Sequence, residues 1–359
     1  MPLQSIINSL SQRRLSTYKN DNLCDTSDPQ SLGLYLWNKQ LSGLFFPVLQ
    51  ILEVSLRNAI HTAYIKAKLK EIAIHTPELS QQNKLKEEQQ LWFTKIYTRK
   101  NNPTGYHQVS TATDNIKKEN KSLSADNYIA KLTFGFWVNM TNKNHRQSND
   151  ENQPPIITLW PKLTTEVFPN AKDKTGKHLS INHISDELHS INKLRNRIAH
   201  HEPIWKITEI FDINDAINHI VRQYDLCLSV IKWINVDNLA LISIIENDKM
   251  MSQACNPHTI WKNKHLPTGL TDIPSLDNWY DNHIIDTRRS GTVIHSTTQM
   301  AIIKCTTTNT KFYTNKKMLK HKNAWPLAQN TKVTFIPKPP DQKNAKLSQA
   351  TQLLVQPPN

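Results

Sequence analysis

Residues 181–205 read INHISDELHSINKLRNRIAHHEPIW, and the spacing of their apolar residues decides the fold class. Ile181, Ile184, Leu188, Ile191, Leu194 and Ile198 recur every three or four residues, the repeat that lines up side chains on one face of a helix. The segment is therefore a long helix with one buried stripe. Pro203 disfavours helical geometry at Glu202, so the helix should end near His200 and His201. That end crowds arginine, asparagine and two histidines at a helix C-terminus, where the dipole favours a protonated ring.

Working outward, the same helical repeat dominates. Leu3, Ile6, Ile7, Leu10 and Leu15 predict a short amphipathic helix in residues 3–20. Asp28-Pro29 is a helix start with proline at the first helical position. Leu32, Tyr35, Leu36, Leu41, Leu44 and Phe45 follow helically, and Pro47 predicts a break or a fresh start. Val48, Leu49, Ile51, Leu52, Leu56, Ala59 and Ile60 then resume, with Glu53 and Arg57 four apart as an i,i+4 ion pair. A lysine- and glutamate-rich helix is predicted from Leu79 to Tyr97. Residues 98–127 read as a loop or connector, and Thr141 to Pro155 as a polar surface loop. Leu132-Thr133-Phe134-Gly135-Phe136-Trp137 is a dense aromatic cluster, read as core, joined by Trp160, Leu163, Val167 and Phe168. Ile217, Ile220, Val221, Tyr224, Leu228 and Ile231 mark another long helix, and Leu239 to Ile245 extends the helical region to residue 246.

Beyond that point the pattern changes. Residues 247–289 carry proline, asparagine, aspartate, histidine and tryptophan without a period and read as a linker. From residue 290, five short β-branched or alternating runs follow: Thr292 to Ile294, Met300 to Ile303, Thr310 to Tyr313, Thr331 to Pro337 and Leu347 to Val355. Five strands in so short a tail predict a small Greek-key barrel of the OB type. The expected architecture is mainly α, a helical domain over 1–246 followed by an OB-like β-barrel over 290–359.

Charge narrows the function classes. Lysine and arginine number 44 against 30 acids, a net charge of +14, which suits a polyanionic partner such as RNA. Residues 290–359 hold ten lysines, no arginine and one acid, Asp341, so most of the excess sits in the tail. The four cysteines, Cys24, Cys227, Cys255 and Cys305, are widely separated and form no zinc-type pair, which fits a reducing, cytoplasmic setting. Neither a signal peptide nor a membrane-spanning run is read, and no P-loop or dinucleotide fingerprint occurs. No metal or cofactor is expected.

The residue types at the 195–201 helix end match the needs of metal-free RNA cleavage. Histidine moves protons near neutral pH, and arginine's planar fork holds phosphate oxygens while charge builds on phosphorus. Spacing adds a constraint. Asn196 and His200, four apart, share a helix face, whereas Arg195 and His200 converge only if the helix loosens at its end. The alternative is that Arg195 and Arg197 cap helix carbonyls and one histidine is structural.

Arg195-Asn196, three further residues and His200 resemble the motif of the HEPN superfamily of helical-bundle ribonucleases. The wider chain resembles the Abi-like proteins of abortive-infection systems, of the AbiD/AbiF type, in three blocks: Leu52 to Ile60, Leu132 to Trp137 and Leu194 to Ile204. The resemblance spans roughly residues 10–245. It implies a HEPN-type helical bundle, an RNA target, and a role in phage defence or growth arrest. It also implies a site shared by two copies, so a homodimer. In that reading Arg195 grips phosphate, Asn196 orients and His200 transfers protons, with Glu53, Arg57 and His201 in support. Arg57-Asn58-Ala59-Ile60-His61 imitates the motif with one residue too few. The tail resembles cold-shock domains in strand order and in its Gly291-Thr292-Val293 opening. Its second strand lacks the aromatics on which those domains stack bases, leaving Phe312 and Tyr313 on the third. Arg197, Lys311, Phe312, Tyr313, Lys316 and Lys317 are the expected RNA contacts. A non-catalytic protein that holds a structured RNA is the competing expectation, and a protein-docking role for the barrel is a third.

Overall fold

The computed structural model describes residues 2–24, 27–75, 78–148, 154–208, 210–266, 288–319, 325–338 and 347–356. The chain divides into two compact units, Met1–Asp272 and Ile273–Asn359. Among the described residues the first is helical: α1 (Pro2–Leu10), α2 (Gln12–Ser16), α3 (Asp28–His75), α4 (Leu79–Gln89), α5 (Trp92–Lys95), α6 (Pro103–Lys118), α7 (Ala125–Lys131) and α8 (Phe134–Asn139). It continues with α9 (Thr164–Val167), α10 (Ile181–Ala199), α11 (Ile213–Ile234), α12 (Leu239–Ile244), α13 (Asn247–Ala254) and α14 (Pro257–Lys264).

The axis of this unit is α3, 48 residues long. Pro47 does not break it, contrary to the expected restart. Proline leaves the carbonyl four residues back without its helical partner. Here that residue is the exposed Gly43, whose carbonyl can turn to water, while buried Phe45, Val48 and Leu49 hold the helix through the defect. By length and composition, with a mean hydropathy of 1.2 in its most apolar window, α3 could cross a membrane. Its side chains Trp37, Leu41, Phe45, Leu52 and Leu56 are nevertheless fully buried, and it packs against α8, α9, α11, α13 and α14. A third of that window is buried inside the fold.

Two stretches read as irregular are helical. Within 98–127, α6 starts on an Asn102 cap with Pro103 behind it, the Asn102 side chain accepting from the Gly105 N–H at 2.8 Å. Its buried stripe is Gly105, Val109, Ala112 and Ile116, with too few large apolar side chains to stand out in a polar sequence. The beginning of the expected linker forms α13 and α14, which pack on α3, with the Trp37 indole donating to the Ala254 carbonyl at 2.9 Å. The rest of that linker, residues 267–287, lies outside the described residues, as do 149–153 of the polar stretch after Thr141. Within that stretch Thr141 and His145 are core residues, not surface.

The second unit is a closed five-stranded barrel with strand order β1-β2-β3-β5-β4: β1 (Arg289–Ser296), β2 (Met300–Cys305), β3 (Lys311–Asn315), β4 (Lys332–Lys338) and β5 (Ser348–Val355). All pairings are antiparallel except β3 with β5, and β1 closes the ring on β4. Alternate residues fill the interior: Val293, Ala301, Ile303, Phe312, Val333, Phe335, Ala350 and Leu353. The mainly α chain with a small terminal barrel is thus the architecture observed.

Candidate functional site

The site is assembled at the C-terminal end of α10. The helix starts on Ser180, whose hydroxyl accepts from the His183 N–H at 3.2 Å. Ile184, Leu188, Ile191 and Leu194 bury its apolar stripe. It ends in a fully bonded cap. The His201 N–H donates to the Ile198 carbonyl at 3.0 Å and the Glu202 N–H to the Arg197 carbonyl at 2.8 Å, the paired bonds of a Schellman motif. His201 occupies the left-handed position of that motif, with φ of 59°, where glycine is the usual residue because a Cβ is strained there.

Residues far away in sequence fix this terminus. Asn38 of α3, fully buried, donates to the Glu202 carbonyl at 3.0 Å and accepts from the Ile204 N–H at 2.8 Å. Its amide also lies 3.3 Å from the Tyr18 hydroxyl, which donates to the His201 carbonyl at 2.8 Å. Burial pushes the Tyr18 phenol up to about 12, so it remains a donor at neutral pH. Trp205 stacks on Trp37 at 6.2 Å. The loop after Pro203 is therefore anchored, and the frayed helix end considered from the sequence does not occur. The His200 N–H still donates to the Asn196 carbonyl at 2.9 Å.

The motif side chains divide by what they touch. The Arg195 guanidinium donates to Asn196 Oδ1 at 3.3 Å. Asn196 and His200 are exposed on the shared face, and among the described residues the His200 ring has no hydrogen-bond partner. Arg195 and His200 of one chain are not joined. Arg197, grouped above with the RNA contacts, is engaged internally: it donates to the Pro203 carbonyl and to the Lys206 carbonyl at 3.0 Å, and its Nε lies 3.6 Å from Glu202. These carbonyls belong to the loop beyond α10 and not to the helix, so Arg197 ties down that loop instead of capping the helix, and among the described residues the Arg195 side chain bonds only to Asn196.

Glu53 and Arg57 on α3 complete the surroundings. Burial pushes the Glu53 carboxyl up, and the Arg195 and Arg57 cations pull it partly back. Glu53 is thus electrostatically coupled to the motif arginine. It forms no direct ion-pair contact with Arg57 among the described residues, so the simple i,i+4 pair expected from spacing is replaced by a cluster spanning two helices. The buried Arg57 Nε lacks a hydrogen-bond partner among the described residues. Both residues line a groove of about 900 Å³ along α3, with Val54, Asn58, Asn238 and Leu241. The shorter imitation motif ends inside the fold: the His61 ring accepts from the Trp92 indole at 3.3 Å and packs edge-on to Phe93.

In the barrel, strand alternation turns Phe312 inward at 3% exposure, against Phe335 at 4.9 Å between ring centroids. It is a core residue and not the base-stacking ring expected above. Tyr313 faces the other way and is half-buried, and Lys311, Lys316 and Lys317 are exposed. Lys311 sits directly opposite Lys304 in the β2–β3 ladder, a like-charge pair that an anion would relieve.

Tyr18 and Asn38, which position the site, were not singled out from the sequence. Asn38 left a signal, an amide set within the apolar run of α3. Among the described residues no three His, Cys, Asp or Glu side chains gather as metal ligands. No curated protein and no solved structure matches the chain. The sequence pattern of Abi-like proteins matches residues 5–206, more than half of the chain and ending at the Lys206 carbonyl that Arg197 holds. The chain belongs to the Abi-like protein family.

Proposed function

We propose that this protein is a metal-independent endoribonuclease of abortive infection or growth arrest, working in the cytosol as a homodimer on a HEPN-type helical scaffold. One observation carries the reading. At the end of α10, Arg195, Asn196 and His200 are left outside the structural bonding that consumes Arg197 and the His201 backbone. In this reading Arg195 grips a phosphate oxygen with its fork, Asn196 orients it, and His200 transfers the proton of the 2′-hydroxyl or of the leaving oxygen. The product would carry a 2′,3′-cyclic phosphate. Because Arg195 and His200 stay apart in a helix that remains wound to its end, a second copy supplies the missing partner of each half-site.

Glu53 acts as the countercharge that steers Arg195, and the OB-like barrel contributes salt-sensitive backbone binding through Lys304, Lys311, Lys316 and Lys317. The test is induced expression of wild type beside Arg195→Ala and His200→Ala. The expected result is growth arrest with fragmented RNA for wild type only. Equal arrest by all three proteins would refute the catalytic assignment. Salt-sensitive RNA binding without cleavage by any of them would establish instead the RNA-holding role that the opposed Lys304 and Lys311 also suit.

A further inference from the structure

Helix α14 carries three rings on one exposed stripe. His258 stacks on Trp261 at 6.0 Å with 12° between the planes, and Trp261 stacks on His265 at 4.3 Å and 28°. All three are exposed, Trp261 at 56%. The opposite side of the helix is fixed to the core. Ile260 is fully buried, and Gly33 of α3 meets the Asn263 backbone so closely that a Cβ there would lie 2.1 Å from its carbonyl oxygen. A ladder of flat rings is thus held on a rigid base with its outer face open.

Beside it runs a shallow groove of about 570 Å³, lined by Trp261, His258, Pro257, Ile213 and Lys264. Phe211, at 78% exposure, stands two residues before Ile213. Exposed Lys262 follows the tryptophan. The nearby carboxylates Asp212 and Asp215 are turned onto backbone N–H groups in the capping box of α11, so they are already engaged. Lys264 donates to the Leu23 carbonyl, which leaves exposed Lys262 as the cation beside stacked rings that suit a ligand alternating flat bases with phosphates.

We infer that this ring ladder of the helical unit is a base-stacking platform for single-stranded nucleic acid, built from residues other than those of the cleavage site. The substrate class rests on the ribonuclease reading, but the platform is a binding site and needs no catalysis. Its place in the fold gives it a use. Gly33, which seats α14, and Asn38, which holds the end of α10, are five residues apart on α3, about 7.5 Å along the axis. A strand stacked on Trp261 is thereby held by the same segment of α3 that positions the histidine terminus.

The test uses the full-length protein and a fluorescent 2′-O-methyl oligouridine, which cannot be cleaved, so binding is read apart from catalysis. Trp261→Ala should weaken binding by about five- to a hundredfold, and Trp261→Phe should stay within about twofold of wild type. An iodouridine-substituted version of the same strand should crosslink to the peptide containing Trp261. Unchanged affinity in Trp261→Ala with crosslinks mapping only elsewhere would overturn the platform. So would a wild-type protein that ignores the oligonucleotide and binds a proline-rich peptide at Trp261.

Discussion

Two adjacent histidines end α10, and the backbone gives them different work. His201 sits at φ of 59° and is tied through its carbonyl to Tyr18, whereas the His200 side chain is exposed on the face shared with Asn196. Replacing His201 by glycine should relieve left-handed strain and raise stability by about 1 kcal/mol while cleavage persists. Thermal unfolding and an RNA assay on that one variant check both halves; loss of cleavage there would move the catalytic role to His201. Away from the site, His145 is buried at 1% exposure with the Tyr97 hydroxyl 2.9 Å from its ring, and burial pushes its pKa down to about 4. A depressed histidine pKa means that the unfolded chain binds the proton more tightly. The stabilisation is therefore complete above the ordinary value near 6.5 and is lost as pH falls toward 4. Between pH 7 and pH 5 that loss is about 2 kcal/mol for this one group. Denaturant titration at the two pH values should show His145→Gln losing about 2 kcal/mol less than wild type.

At the scale of elements, the glycines of α3 separate helix propensity from packing. A Cβ on Gly43 would meet nothing within 4 Å, whereas Gly33 abuts Asn263. Gly43→Ala should therefore stabilise by about 1 kcal/mol through propensity alone. Gly33→Ala gains the same amount but must displace α14, and overpacking of this kind costs about 1–3 kcal/mol or more, so its net effect should be destabilising. Opposite shifts in the thermal midpoints of the two variants would bear this out; stabilisation by both would mean that α14 is not seated on Gly33. The elements also show what a single sequence can convey. α10 was legible to within two residues of its end at Ala199 because Ile184 to Ile198 keep a strict stripe and Pro203 limits it. The strands of the barrel were legible because β-branched runs alternate. α6 was not, since Val109, Ala112 and Ile116 are too few and too small to mark a face. The continuity of α3 through Pro47 was not, because it depends on which side of the helix Gly43 faces.

For the whole molecule, charge and composition pointed to a polyanionic partner, and the motif at 195–200 to cleavage, but the site itself is tertiary. Asn38 and Tyr18 lie more than 160 positions from the loop they hold, and the Arg195 cation that lowers the Glu53 carboxyl belongs to a different helix, far away in sequence. No local pattern could have separated Arg197, bound to Pro203 and Lys206, from Arg195 two residues earlier. Phe312 was misplaced for a simpler reason: strand phase, not residue type, decides which ring faces outward. The central claim is that Arg195 and His200, which are not joined within one chain, cut RNA across two copies without a metal. The direct measurement is cleavage of RNA in EDTA by Arg195→Ala and His200→Ala proteins, each alone and then mixed after subunit exchange. The account predicts that each variant alone is slower than wild type by about 10² to 10⁴, and that mixing restores cleavage through the one intact composite site of the mixed dimer. Cleavage by either variant alone at the wild-type rate would contradict it.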